Sequence, residues 1–400
     1  MSKPTTIETE VARFRRDIDR AMRERVRDAI EVILDEELTE ALGCPRHDRT
    51  ENRLGYRNGS IEREVTMETG LQRIRIPRGR IDQNDGGSVE FRSQVLPRYA
   101  RRTRRVDEAI LGVYLAGGNT RRIRKALAPL LGEKNLSKSA ISRVVGRLKA
   151  LFAEWNGRDL SSESYKILFL DGFHLKVRLA RRVVSVPVLA ALGVAKDGSK
   201  QLIGLQLVVR ESGSSWHGFV NDLSKRGMNR PALLVTDGHA GLKKAREVWD
   251  EVPVQRCTYH KLQNLLGHCP KHAQGELKRD YNAIVRANNH AAALQAHTAF
   301  LTKWSSLCPS VATSLEEAGL DLLTFYRFPK PMWKGLRTTN SVENLNREFR
   351  RRTKTQGSFS TEAAAVTLLY GLVAFGQITL RRITGHQHVA SIDQVIENAA

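Results

Sequence analysis

A chain of 400 residues, 41% apolar and 27% charged, can bury a core and has room for two to four domains; four cysteines are too few for a disulfide scaffold and fit a reducing interior. Lysine and arginine number 65 against 43 aspartates and glutamates, and the resulting +22 favours polyanions such as nucleic acid, with a merely basic soluble protein as the alternative. No apolar run is long enough for a membrane span, since residues 363–378 are broken by Thr367, Tyr370, Gly371 and Gly376, and the charged start from Glu8 lacks the apolar stretch of a secretion signal, so a cytoplasmic location is expected.

In chain order, Ile7, Val11, Phe14, Ile18, Met22, Val26 and Ile30 recur at three- and four-residue steps and predict a helix over 5–42, ended by Gly43-Cys44-Pro45. This defines an N-terminal helical arm, 1–45. Residues 51–80 read as turns and short strands, with Asn58-Gly59 as a turn and a period of two from Leu71 to Ile76. The stretch 81–90, containing Asp85-Gly86-Gly87, reads as an exposed linker, so 46–100 is expected to be a small β-containing module and linker.

Three helices follow, at 106–115, at 120–131 and after a Ser137 cap, giving a helix-turn-helix-like DNA-binding region at 101–155. Lys138, Ser139, Ser142 and Arg143 stand where they would reach base edges and Arg147 a phosphate; a generic three-helix bundle has the same pattern.

Ile167 to Leu170 lead into Asp171, beyond which Leu175, Val177 and Leu179 alternate with His174, Lys176 and Arg178. Strands at 183–194 and 202–210 are joined through Lys196-Asp197-Gly198-Ser199, then a helix at 216–226, a buried strand at 232–236 ending at Asp237, a helix at 242–249 and a fifth strand at 252–257. Residues 261–325 carry only helical patterns, and a basic helix begins near Asn340.

Asp171 sits among apolar strand residues, costly for a carboxylate without a positive partner. Asp237 ends a strand before Gly238, where α/β sheets place ligand-binding groups. Three antiparallel strands, helix, strand, helix, strand is the order of a ribonuclease H-like domain, in which the first and fourth strands adjoin and both aspartates would share a divalent cation. Equally open are an Asp171 ion pair with Arg178 and a helix-capping role for Asp237. Asn340-Ser341-Val342-Glu343 also reads as a capping box, but its helix turns Leu345 and Phe349 inward and offers Arg347, Arg350, Arg351 and Lys354 to phosphates.

Taken in order, Gly55-Tyr56-Arg57-Asn58-Gly59, Gly118-Asn119-Thr120-Arg121-Arg122-Ile123, Asp171-Gly172-Phe173-His174-Leu175-Lys176-Val177-Arg178, Glu211-Ser212 with Trp216, Thr236-Asp237-Gly238-His239-Ala240-Gly241, Gln255-Arg256-Cys257-Thr258-Tyr259-His260 and Thr339-Asn340-Ser341-Val342-Glu343-Asn344-Leu345-Asn346-Arg347-Glu348 resemble the Mutator-type bacterial insertion-sequence transposases over about residues 50–380. The resemblance implies an α+β and α/β multidomain chain: a ribonuclease H-like mixed five-stranded core at 163–260 and 331–385, an all-helical insertion at 261–330, and a tail at 386–400. It further implies an Asp171, Asp237, Glu343 triad holding two Mg²⁺ (or Mn²⁺) ions, action on element ends and target DNA, a homodimer on DNA and association with the nucleoid. Cys257 and His260 match its Cys-x-x-His signature, and His174, His239 and Asn340 would support the site. Zinc shared with Cys269 and His272 is not expected, because two helical Cys-x-x-His pairs do not make a standard finger. Trp216 reads either as a platform for a splayed base or as a core residue. Two other readings are a non-transposing nuclease of this fold and a DNA-binding regulator with a degenerate catalytic domain.

Overall fold

Periodic apolar residues carry α1 (Thr6–Leu42), whose C-terminal half is anchored: Leu34, Leu38 and Leu42 are fully buried, whereas Phe14, Ile18 and Met22 are exposed. The computed structural model describes residues 6–48, 53–83, 85–132, 136–179, 181–239, 241–249, 251–354, 359 and 361–392. Residues 1–5 of the expected arm, 49–52 of the expected β-containing module and 393–400 of the expected tail lie outside these. The chain divides into two compact units after Arg147.

In the first unit, β1 (Gly55–Met67), β2 (Gly70–Asp82) and β3 (Ser88–Glu90) form an antiparallel sheet in that order. Leu34 packs with Val65, Met67, Ile74 and Ile76 beneath it. Two expectations are corrected here. Asn58-Gly59 is a bulge within β1 and not a turn: pairing slips between Arg57 and Ser60, and Gly59 takes φ +70°. A bulge satisfies the preference of Asn-Gly for positive φ as well as a hairpin does. The supposed linker at 81–90 is the hairpin joining β2 to β3, with Arg80 opposite Glu90. Helices α2 (Arg104–Leu115), α3 (Thr120–Leu131) and α4 (Lys138–Gly157) follow at the expected places. Thr103, Asn119 and Ser137 accept the first free backbone N–H groups, and Ile110, Ile123, Leu127, Ile141 and Val144 fill the space between the helices.

The second unit is built on five strands: β4 (Tyr165–Leu179), β5 (Arg182–Ala195), β6 (Lys200–Leu207), β7 (Leu233–Thr236) and β8 (Val254–Arg256). Their order is β6-β5-β4-β7-β8; the first three are antiparallel, and β7 and β8 run parallel to β4. The first and fourth strands of this unit are therefore neighbours. α5 (Gly213–Lys225) and the short α6 (Leu242–Ala245) cover one face, where Trp216, Phe219, Val220 and Leu242 meet Leu168, Leu170 and Leu234. The helix expected over 242–249 breaks into a 3₁₀ turn after Ala245.

After β8 come α7 (Thr258–His268), α8 (Gln274–Val285), α9 (His290–Leu307) and α10 (Pro309–Ala318), then 3₁₀ turns through Arg327, and α11 (Trp333–Leu336), α12 (Asn340–Thr353) and α13 (Glu362–Ala374). The 3₁₀ segment closes the open edge of β8: buried Gln255 donates to Leu322 O (3.0 Å) and accepts from Phe325 N (2.7 Å), while the Thr324 hydroxyl donates to Val254 O (2.7 Å). α12 lies against β4 and β5, and α13 against β4 and β6. Among the described residues, no helix is long and apolar enough to cross a membrane.

Candidate active site

Side chains alternate along β4, so Asp171 shares a face with Phe169 and Phe173. α12 is laid on that face by Phe349, whose ring stacks on Phe173 at 5.7 Å. This brings the polar side of α12 onto Asp171, where Asn346 Nδ2 donates to Asp171 Oδ2 at 2.6 Å. Leu170 pairs with Thr236, so Asp171, within β4, and Asp237, just past the end of β7, lie at one level on adjacent parallel strands. Glu343, in the first turn of α12, completes the group.

Electrostatics register this convergence. Asp171 is 7% exposed, and its carboxyl is pushed up to about 7, chiefly by burial and then by the charges of Asp237 and Glu343; His260 and the Asn346 hydrogen bond oppose the rise. Arg178, the alternative partner, falls on the opposite strand face and is exposed. Asp237 Oδ1 accepts from His239 N at 2.8 Å, closing a local turn, while α6 begins at Leu242 without any side-chain cap. Glu343 does not close the capping box either: the buried Thr339 precedes α12, its hydroxyl donates to the Glu343 carboxylate, and Asn340 is exposed. Asn340 is thereby the first residue of the helix and not its cap, because the helix starts one residue earlier than its sequence pattern suggests.

Cys257 caps α7 just after β8, and His260 enters from the first turn of α7. With Glu343 they form the one group of three His, Cys or acidic side chains among the described residues whose ligand atoms all fall within 4.8 Å. Cys257 Sγ accepts from Thr339 N at 3.4 Å, and His260 Nδ1 lies 3.4 Å from the Thr339 hydroxyl and 3.9 Å from Glu343 Oε1. Hydrogen bonding to Cys257 raises His260 to about 9 against the effect of burial, and Cys257, Glu343 and Asp237 add to the rise. Burial pushes the Cys257 thiol up, but bonds from His260 and Thr339 outweigh it and hold the thiol below its ordinary value. The Cys-x-x-His pair thus pins the start of α12, and Glu343 with it. Cys269 and His272 do not join this group.

Other expected site residues are placed differently. His174 is exposed on the face opposite Asp171, because strand alternation turns every second residue away. His239 lies in the Asp237 turn. Trp216 is fully buried against Phe219, its Nε1 donating to Glu211 Oε1 at 3.1 Å, so its ring is core and offers no face to a base. Lys138, Ser139, Ser142 and Arg143 are exposed on α4, but Arg147 pairs with Asp107. On α12, Arg350 and Lys354 are exposed, Arg347 donates to Asn344 and Arg351 pairs with Glu348.

Two features of the site do not stand out in the sequence. Asn346 is one. The other is a ribbon: β4 pairs with β7 only as far as Leu170, and β4 and β5 continue together to Leu179 and Arg182. Lys176, Arg178, Arg181 and Arg182 on it are exposed, and none has an ion pair among the described residues. Its signal in the sequence is the absence of any acid from Gly172 to Ala195.

The model of the family "Transposase, Mutator family" matches residues 2–376. The chain is 33% identical over 352 residues to the transposase of insertion sequence element ISRM5 from Rhizobium meliloti, covering 88% of this chain and 86% of that protein. It is 31% identical over 344 residues to the transposase of IS256 in transposon Tn4001 from Staphylococcus aureus (84% and 85% covered), and 32% identical over 348 residues to that of IS1081 from Mycobacterium tuberculosis (86% and 82%). With a family match across nearly the whole chain and relatives of this similarity aligned along most of their length, the protein belongs to the Mutator family of transposases.

Proposed function

We propose that the chain is a DDE-type DNA transposase with a ribonuclease H-like core, acting on insertion-sequence ends through Asp171, Asp237 and Glu343 and two Mg²⁺ (or Mn²⁺) ions. The observation that carries this reading is the meeting of three acids, one within β4, one just past the end of the adjacent β7 and one on α12, around a buried carboxyl pushed up by burial and by its neighbours. Such crowded negative charge suits a hard divalent cation, and the donors are hard oxygens. Asn346 Oδ1, buried beside Asp171 with no hydrogen-bond partner, adds another. When bound, the ions would lower the pKa of the attacking water or 3′-hydroxyl and stabilise the departing oxygen.

The protein's own residues do the rest. Asn346 holds Asp171, His239 N–H orients Asp237, and Thr339, seated by Cys257, holds Glu343. The exposed cations of the β4–β5 ribbon and of α12 would neutralise DNA phosphates, and the first turns of α4 would read the element end in helix-turn-helix fashion. Hydrolysis at the element end frees a 3′-hydroxyl, and attack of that hydroxyl on target DNA joins the two; no protein nucleophile is used. Joining two ends calls for two copies, so a homodimer on DNA is part of the proposal.

The test is cleavage and joining of labelled element ends by Asp171→Asn, Asp237→Asn and Glu343→Gln. Each should lose both reactions while still shifting the DNA in a gel. Cleavage retained by any of the three removes that residue from the mechanism, and cutting without joining by the native chain would make it a nuclease.

A further inference from the structure

Glu211 stands just before α5, on the face of β4 opposite Asp171, and its half-buried carboxylate touches three elements. It lies flat against β4 at Gly172: a Cβ there would come within 2.7 Å of Glu211 Oε1 and 3.0 Å of Oε2. It accepts from Trp216 Nε1 at 3.1 Å. Its Oε1 is 3.7 Å from His239 Nδ1, which forms an ion pair with it when the ring is protonated and accepts from Gly241 N at 3.2 Å when it is neutral. The turn carrying Asp237 closes on the same segment at its far end, where a Cβ on Gly241 would come within 2.9 Å of Trp216 Cδ1 and 3.1 Å of the Ser212 carbonyl carbon. A carboxylate is a costly filler for such a place, since burial penalises it unless its charge is used.

We propose that Glu211 is a positioning residue: a charged post, wedged behind Asp171 by the bare Cα of Gly172, against which the Asp237-Gly238-His239 turn is set. The chain of contacts runs from Glu211 to the His239 ring, and from His239 N–H to Asp237 Oδ1. Glu211 thereby fixes the distance between the two aspartates without touching substrate. The inference rests on the reading of Asp237 as a metal-holding acid.

The experiment compares Glu211→Ala, Glu211→Gln and Gly172→Ala with Asp237→Asn. Readouts are binding to an element end without divalent ions, Mn²⁺ binding to the DNA-bound protein by electron paramagnetic resonance, and cleavage rate. DNA binding should be unchanged, while Mn²⁺ affinity and cleavage fall about 10–100-fold for Glu211→Ala, as for residues that orient metal ligands. Glu211→Gln keeps the volume and an acceptor for Trp216, so it should fold even if the alanine variant does not; loss of charge alone should still weaken Mn²⁺ binding. Gly172→Ala should mimic Glu211→Ala, and adding it to Glu211→Ala should cost little more, because the group it strikes is gone. Wild-type Mn²⁺ affinity and cleavage in Glu211→Gln, or an equal cost of Gly172→Ala in both backgrounds, overturns the inference. If Asp237→Asn itself cleaves and binds Mn²⁺ normally, the underlying reading fails instead.

Discussion

Asn346 decides how Asp171 is presented. Its amide donates at 2.6 Å to a carboxylate that is 7% exposed. A hydrogen bond to a charged group contributes about 1.5–3 kcal/mol, and removing one partner leaves the other buried and unsatisfied. Asn346→Ala should therefore lower the unfolding free energy by about 1.5–3 kcal/mol in urea titrations at pH 8, and cleavage should fall with it. Unchanged urea midpoints would mean that Asp171 finds water instead. The three acids stood out in the sequence for different reasons: Asp171 is a carboxylate amid apolar strand residues, Asp237 ends a strand before a glycine, and Glu343 opens a basic helix. Asn346 did not, since a polar residue within a basic helix reads as solvated surface. Leu345 and Phe349 mark an inward face, but that Asn346 shares it and meets Asp171 is shown only by the packing of Phe349 on Phe173. Trp216 failed in the other direction: a large aromatic near a site suggests stacking, yet its indole N–H is spent on Glu211 within the core.

The elements that project from the sheet carry the charge that composition announced. β4 is 15 residues long whereas β7 has four, so the outer part of β4 is free of β7 and forms, with β5, a basic ribbon starting at the level of Asp171. If Lys176 and Arg178 each neutralise one phosphate, replacing both by glutamine should reduce the slope of log K against log salt by about 0.9 on duplex DNA for each phosphate left without its cation. Fluorescence anisotropy on a labelled element end between low and moderate salt measures this; an unaltered slope would place the DNA elsewhere. Strand existence was readable from alternation, whereas strand length was not. Pairing partners decide where a strand ends, and they are distant in sequence: β2 recruits 88–90 as a third strand where local composition signals only a linker. The bounds of α3 and the start of α4 were legible, because caps and periodicity are local, whereas α4 runs on to Gly157, past the last apolar residue the periodicity marked.

At the scale of the whole second unit, the helical stretch from α7 to α10 is tied to the sheet by a charge network. Arg256, on β8, donates to the Glu317 carboxylate at 3.0 Å and to Gly238 O at 3.3 Å, and Lys261 Nζ, almost fully buried on α7, reaches Glu317 at 3.1 Å. Burial alone would raise the Glu317 carboxyl, but Lys261 and Arg256 outweigh it and hold it near about 2, below the ordinary 4.5. Lys261 is itself held below the usual lysine range by burial, with its Glu317 bond opposing and Arg256 adding to the fall, so part of the gain on Glu317 is offset by the cost of burying its partner. Because the folded carboxyl titrates below the unfolded one, its contribution is fully present above about pH 4.5 and fades as pH falls through 4.5 towards 2. Glu317→Gln should accordingly melt below the native chain at pH 6–7, and the gap between the two melting curves should narrow as the buffer is taken down to pH 3. Glu317 is partly exposed and solvent screens the network, so the gap should also narrow in high salt. A melting difference that stays constant from pH 7 to pH 3 would show that the helical stretch is held by packing alone, and that Arg256 fixes the Asp237 turn through Gly238 O without help from Glu317.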